Sequence, residues 1–112
     1  MTIFNKIINK EIPAKIVYED DLCLAFRDIT PQAPTHILLI PKQYIRSMAE
    51  LTPADASLMG HMICKVQEIA KNEGLLENGF RTVINTNGDG GQSVFHLHIH
   101  ILGGRQMQWP PG

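Results

Sequence analysis

Cysteine is scarce in this chain: Cys23 and Cys64 are the only two in 112 residues, they stand far apart, and they form no C-x-x-C pair. A disulfide scaffold and a thiolate zinc site are therefore not expected, and both residues read as small buried apolar side chains. An excess of one charge is also missing. Ten Lys and Arg against 11 Asp and Glu give a formal net charge of −1 and a pI near 6.5. Without a basic surplus, neither nucleic acid nor an anionic membrane is expected as a partner, and any phosphate must be held locally. No run approaches the roughly 20 apolar residues that span a bilayer. The opening "MTIFNKIINKEIPAK" breaks its apolar residues with Asn5, Lys6, Asn9, Lys10 and Glu11, so it lacks a signal-peptide core. A reducing, cytoplasmic location is the simplest expectation. Repeats, low-complexity segments and a second domain are absent too, and 44% hydrophobic with 19% charged residues suits one soluble domain. A core this small is often supplemented by contacts between subunits.

What is present is a regular alternation of elements. Ile3, Phe4, Ile7 and Ile8 fall at helical spacing before Pro13, which predicts a short amphipathic helix. "KIVYED" and "LCLAFRDI", joined at Asp20-Asp21, predict a β-hairpin. "PQAPT" is a connection, and "HILLIP" is an apolar run suited to a central strand closed by Pro41. Thr52, Pro53 and Asp55 mark the start of the longest helix. Leu58, Met59, Met62, Ile63, Val66, Ile69 and Ala70 form its core stripe up to Gly74, with His61 off the stripe on the helix surface. "FRTVINT" and "SVFHLHIHIL" predict two further strands around the bend "NGDGGQ". The tail "GGRQMQWPPG", with the only Trp, fits neither a helix nor an interior strand. The sum is an α+β fold: about five antiparallel strands, one long helix and a short N-terminal helix.

Three of the five histidines sit at alternate positions in "FHLHIHILGG". On a strand, His96, His98 and His100 would share one face, while Phe95, Leu97, Ile99 and Ile101 pack on the other under the helix. Such a face can be merely polar, but three imidazoles without a Ser, Thr, Lys or Glu among them argue for chemistry. Imidazole is the commonest zinc ligand, and three with a water describe a catalytic zinc site. The nearby segment offers only Asp89 to orient three ligand rings, which weakens that reading. The same crowding also serves a nucleophile, because like charges keep at least one ring neutral, and a neutral imidazole attacks phosphorus. "NTNGDGGQS", just upstream, supplies Asn85, Gly-rich backbone N–H groups, Gln92 and Ser93 as phosphate donors. It is not a P-loop, for it lacks the Lys-Ser/Thr ending and leads into a strand.

"HLHIHIL" resembles the H-φ-H-φ-H-φ-φ signature of the histidine triad (HIT) family. "TIFNKIINKEIPAKIVYEDD", "LAFRDITPQAPTHILLIPK" and "NTNGDGGQSVFHLHIHILGGRQMQWPPG" are similar to its Hint branch, whereas residues 43–79 match loosely. The resemblance implies a metal-independent purine nucleoside phosphoramidase, without cofactor, that works through a covalent nucleotidyl-histidine. His98 would be the nucleophile, with His96, His100 and His36 orienting it and carrying protons, and Ser93 and Asn85 contacting phosphate and leaving group beside Gly91 and Gln92. Asp28 would bind the ribose hydroxyls, a role that suits an acceptor-only carboxylate. Ile3, Phe4, Ile7, Phe26 and Ile29 would line the slot for the base. Core packing explains Phe26 and Ile7 equally well, and His36 also reads as a hydrogen-bonded core histidine. The third triad position is His100, where nucleotide-transferring relatives carry Gln, so hydrolysis is favoured over transfer. Dinucleoside polyphosphate hydrolase and nucleotide-binding scaffold remain the alternatives. The resemblance further implies one HIT domain over residues 1–112 and a homodimer, with tail 103–112 and Trp109 reaching the partner's site.

Overall fold

The computed structural model describes residues 2–112. Helix α1 (Ile3–Ile8) is followed by β1 (Ile16–Glu19), β2 (Cys23–Arg27), β3 (Thr35–Pro41), α2 (Ala56–Asn72), β4 (Phe80–Val83) and β5 (Ile99–Gly103). The strands form one sheet in the order β1-β2-β3-β5-β4, every neighbouring pair antiparallel. Fold class, strand number and both helices are as the sequence predicts.

Side-chain alternation explains the two layers. Odd-numbered residues Cys23, Ala25, Ile37, Leu39, Ile99 and Ile101 pack with Met62, Val66, Ile69 and Ala70 of α2. Even-numbered Leu24, Phe26, Leu38 and Ile40 pack with Phe4 and Ile7 of α1. Because β2 and β3 are covered on both faces, "HILLIP" reads as a continuous apolar run rather than an alternating one. The same parity puts His36 and His100 on the α1 face: Leu38 pairs with His100, and His36 with Leu102.

The stop signal of α2 acts as expected, and the start signals act one turn before the helix. Thr52 Oγ1 accepts from the Ala54 N–H and the Thr52 N–H donates to Asp55, so Thr52 caps a separate 3-10 turn, Pro53–Asp55, that leads into α2 at Ala56, one turn later than Thr52 and Pro53 predict. At the other end Gly74 adopts φ +74°, and the N–H groups of Gly74 and Leu75 cap the carbonyls of Lys71 and Ala70.

Four expectations need correction. Ile63 is 54% exposed, because it points away from the sheet at the margin of the stripe. Cys64 is exposed, while Cys23 is fully buried. His61 is not a free surface residue: its Nε2 lies 2.7 Å from Asp20 Oδ2. Finally, the strand drawn through residues 93–102 begins only at Ile99. Continuing the register would set Leu97 opposite Pro41, which has no N–H to donate, so the ladder stops. The Leu97 N–H instead donates to the Ile45 carbonyl at 2.7 Å. Phe95 consequently does not pack under α2; it is half-buried, with the Arg46 guanidinium 4.3 Å above its ring.

Candidate active site

Tyr44, Ile45, Arg46 and Gln92 hold the segment that carries His96 and His98. The Tyr44 hydroxyl donates to the Phe95 carbonyl at 2.9 Å, and the Gln92 amide donates to the Arg46 and Val94 carbonyls while accepting from the Asn87 N–H. His96 is fully buried, and its Nε2 donates to the Pro41 carbonyl at 2.8 Å. The backbone carbonyl of His96 lies 2.7 Å from His98 Nδ1. A carbonyl only accepts, so Nδ1 carries the proton and the lone pair of neutral His98 sits on Nε2. Burial lowers the pKa of His98 below the ordinary histidine value, against the pull of the His96 carbonyl and Asp28. Phe4 contributes to that dry surrounding, meeting the His98 ring edge-to-face at 5.1 Å.

A second chain of bonds sets the tautomer of His100. The Gln32 backbone N–H donates to His36 Nδ1 at 3.0 Å, which forces the His36 proton onto Nε2. His36 Nε2 lies 2.9 Å from His100 Nδ1 and 3.5 Å from Asp28 Oδ2. His100 Nδ1 therefore accepts, and its own proton sits on Nε2. Burial and the neighbouring His98 and His36 push His100 down to about 4, so it stays a neutral donor at pH 7. Burial also lowers His36, with Asp28 opposing, and lowers His96. The site thus offers one imidazole lone pair, on His98, and one N–H donor, on His100, with ring centroids 5.0 Å apart.

Both rings line a cleft of about 340 Å³. Of the residues the sequence singles out, Ile3, Phe4, Ile7, Phe26, Asp28, Ile29, Ser93, His98 and His100 line it. Ile12, Pro13, Ala14, Leu38 and Val94 complete the apolar wall, and Arg27, paired with Glu73, also lines the cleft. His36 stands behind His100. Asn85, Gly91, Gln92, His96 and Trp109 are outside the lining: Asn85 is half-buried, Gly91 is exposed at φ +75°, Gln92 braces the loop, and Trp109 is 81% exposed. The sequence reading missed Gln32, which acts through its backbone N–H, and Tyr44. Arg105 of the tail steadies Gln32 by donating to its carbonyl at 3.1 Å. No residue-type signal marks a backbone donor.

Asp28, His36 and His100 place three potential metal donors within 4.8 Å of one another. They fit a metal poorly. The lone pair of His36 is engaged by Gln32, so ligation would require reversing its tautomer and orphaning a backbone N–H.

A family model described as the HIT domain matches residues 9–107. The chain belongs to the HIT family. A HIT-like protein of Synechococcus elongatus, described as uncharacterised, is 64% identical over 111 residues, which cover 99% of this chain and 96% of that protein. A 14 kDa zinc-binding protein of maize is 54% identical over 113 residues, covering 99% and 88%. The crystal structure of a HIT family hydrolase from Legionella pneumophila superposes with a TM-score of 0.98 at 50% identity, each chain covered in full. The HIT domain here therefore shares its fold with that hydrolase over the full length of both chains.

Proposed function

We propose that this HIT protein is a hydrolase that cleaves purine nucleoside 5′-phosphoramidates, and acyl-adenylates, through a nucleotidyl group carried on His98. The observation that carries the reading is the tautomer of His98: Nδ1–H is held by the His96 carbonyl, and the ring lines the cleft with its lone pair on Nε2. Asp28 at one end of the cleft suits the ribose hydroxyls. The apolar wall of Phe4, Ile7 and Phe26 suits a base, and Ile29, 97% exposed at the lip, is an apolar side chain with room for one to cover it.

In the first step the Nε2 lone pair of His98 attacks the α-phosphorus as the P–N bond breaks. His100 Nε2–H donates to a non-bridging phosphoryl oxygen, where charge grows in the transition state. The departing nitrogen takes a proton from solvent, passed by the exposed Ser93 hydroxyl on the cleft wall. Water then attacks phosphorus, the Nε2–P bond breaks, and one proton returns to solvent. His98 is regenerated neutral, and the products are the amine and the nucleoside monophosphate.

No step requires a metal, although the maize relative is described as zinc-binding. We further assign the protein to the cytoplasm and to a homodimer in which residues 103–112, with exposed Trp109, extend toward the partner's cleft. Intact-mass measurement after mixing with an adenosine phosphoramidate tests the chemistry. A transient nucleotidyl adduct is expected on the wild type, and His98→Ala should lose it together with about 10³-fold or more of the rate. Tight nucleotide binding with no adduct and no turnover would favour a scaffold. Faster cleavage of dinucleoside polyphosphates than of phosphoramidates would favour the polyphosphate hydrolase.

A further inference from the structure

A second set of metal-ligating side chains lies on the other face of the sheet, under α2. Asp20 opens the turn between β1 and β2, and its Oδ1 accepts from the N–H groups of Leu22 and Cys23 at 2.8 and 2.9 Å. Those two bonds fix the carboxylate in place. Its Oδ2 accepts from the Tyr18 hydroxyl at 2.6 Å and from His61 Nε2 at 2.7 Å. The thiol of Cys23 completes the group: one ligand atom each from Asp20, Cys23 and His61 lie within 4.8 Å of one another. The Asp20 and His61 side chains are 24% and 30% exposed, so an ion can enter from solvent, while Cys23 is fully buried beneath them.

A tetrahedral zinc with bonds of about 2.0 to 2.3 Å sets its ligand atoms roughly 3.3 to 3.8 Å apart. The His61–Asp20 pair, 2.7 Å apart, must open by about 1 Å, and the pairs to Cys23, no more than 4.8 Å apart, must close by about 1 Å or less, shifts that turns of the His61 and Cys23 side chains supply. We propose that Asp20, Cys23 and His61 form a zinc(II) site that staples α2 to the β1–β2 turn, with water as the fourth ligand. One sulfur, one nitrogen and one oxygen suit this borderline ion, whereas magnesium and calcium favour all-oxygen shells. Binding breaks the thiol S–H bond and releases that proton to solvent, and it moves the His61 proton to Nδ1 so that Nε2 can ligate. Carboxylate and thiolate then neutralise the dication. Nearby cations are already paired, Lys65 with Glu68 and Lys42 with Glu19. None of the three ligands lines the histidine cleft, so the site stands or falls independently of the proposed hydrolysis.

Cobalt(II) titration of the full chain, followed by displacement with zinc, tests the assignment. The wild type and His100→Gln should both develop the near-ultraviolet band of thiolate-to-cobalt charge transfer. Cys23→Ala should lose the band, and His61→Gln, at a partly exposed helix position, should weaken zinc at least about tenfold while keeping its circular dichroism. Zinc should raise the melting temperature of the wild type but not of His61→Gln, which carries the test if Cys23→Ala fails to fold. Absence of the band in the wild type, unchanged affinity in His61→Gln, or loss of binding in His100→Gln would each overturn the proposal.

Discussion

Acid should destabilise this fold through its histidines before it protonates any carboxylate pair. The pKa of His100 falls from 6.5 in an open chain to about 4 in the folded one, because burial and its two histidine neighbours disfavour the cation. Between those values the unfolded chain binds the extra proton and the native state does not, so stability is complete above pH 6.5 and declines as pH falls toward 4. At pH 5 the gap of 1.5 units, at about 1.4 kcal/mol per unit, amounts to about 2 kcal/mol from His100 alone. His36, His96 and His98 are shifted in the same direction, so the whole loss is larger. The lowered carboxylate of Asp20 acts only at far more acidic pH.

Urea unfolding at pH 7.5 and pH 5, for the wild type and His100→Gln, measures the term directly. The variant is expected to lose about 2 kcal/mol less than the wild type over that interval, since it has no imidazole at position 100 to protonate. A difference under about 0.5 kcal/mol would refute the claim that burial and the neighbouring His98 and His36 hold His100 neutral. The same shift predicts that activity keeps its plateau well below the pH at which an exposed histidine would become charged.

Two substitutions probe the cleft and its support. Asp28→Asn keeps the shape but removes the charge offered to the ribose, and should lower kcat/KM by about 10- to 100-fold, mainly through KM. An unchanged KM would show that the carboxylate serves His36 and the Thr30 N–H, 2.8 Å from its Oδ1, rather than substrate. Tyr44→Phe deletes the bond to the Phe95 carbonyl, next to the carbonyl that orients His98. Steady-state kinetics should show kcat down about 3- to 10-fold with KM unchanged, and a stability loss of about 1 kcal/mol. If kcat did not move, the 42–47 loop would have no part in aligning the nucleophile.

Much of this was legible because each signal had a local cause. The pattern of Met62, Val66, Ile69 and Ala70, closed by Gly74, fits a helix with one buried face, and that face lies on the sheet. Even spacing in β2 and β3 puts Phe26 and His36 on the face where Phe4 and Ile7 also pack. The misreadings were non-local. Nothing in "SVFHLHIHIL" reveals that Pro41, more than 50 positions away, would stand opposite Leu97 and end the ladder. Nothing in "PQAPT" shows that Gln32 would act through its backbone N–H, or that Asp20 would reach His61 across 41 positions.

That early end of β5 bears on the chemistry itself. Had residues 93–98 continued the strand, the His96 carbonyl would have belonged to a ladder, and His98 Nδ1 would have lost its acceptor. Because the ladder stops at Ile99, the His96 carbonyl is free to accept from His98 Nδ1, while the His96 ring is anchored on Pro41 at the end of β3 and the Leu97 N–H on Ile45 of the 42–47 loop. The alternating run therefore works as two unlike parts. His100 is a strand residue whose proton is placed through β3, by Gln32 and His36. His98 is a loop residue whose lone pair is placed by the carbonyl of His96. Equal spacing in the sequence conceals this inequality, and the inequality separates a nucleophile from a neutral donor within one short stretch of chain.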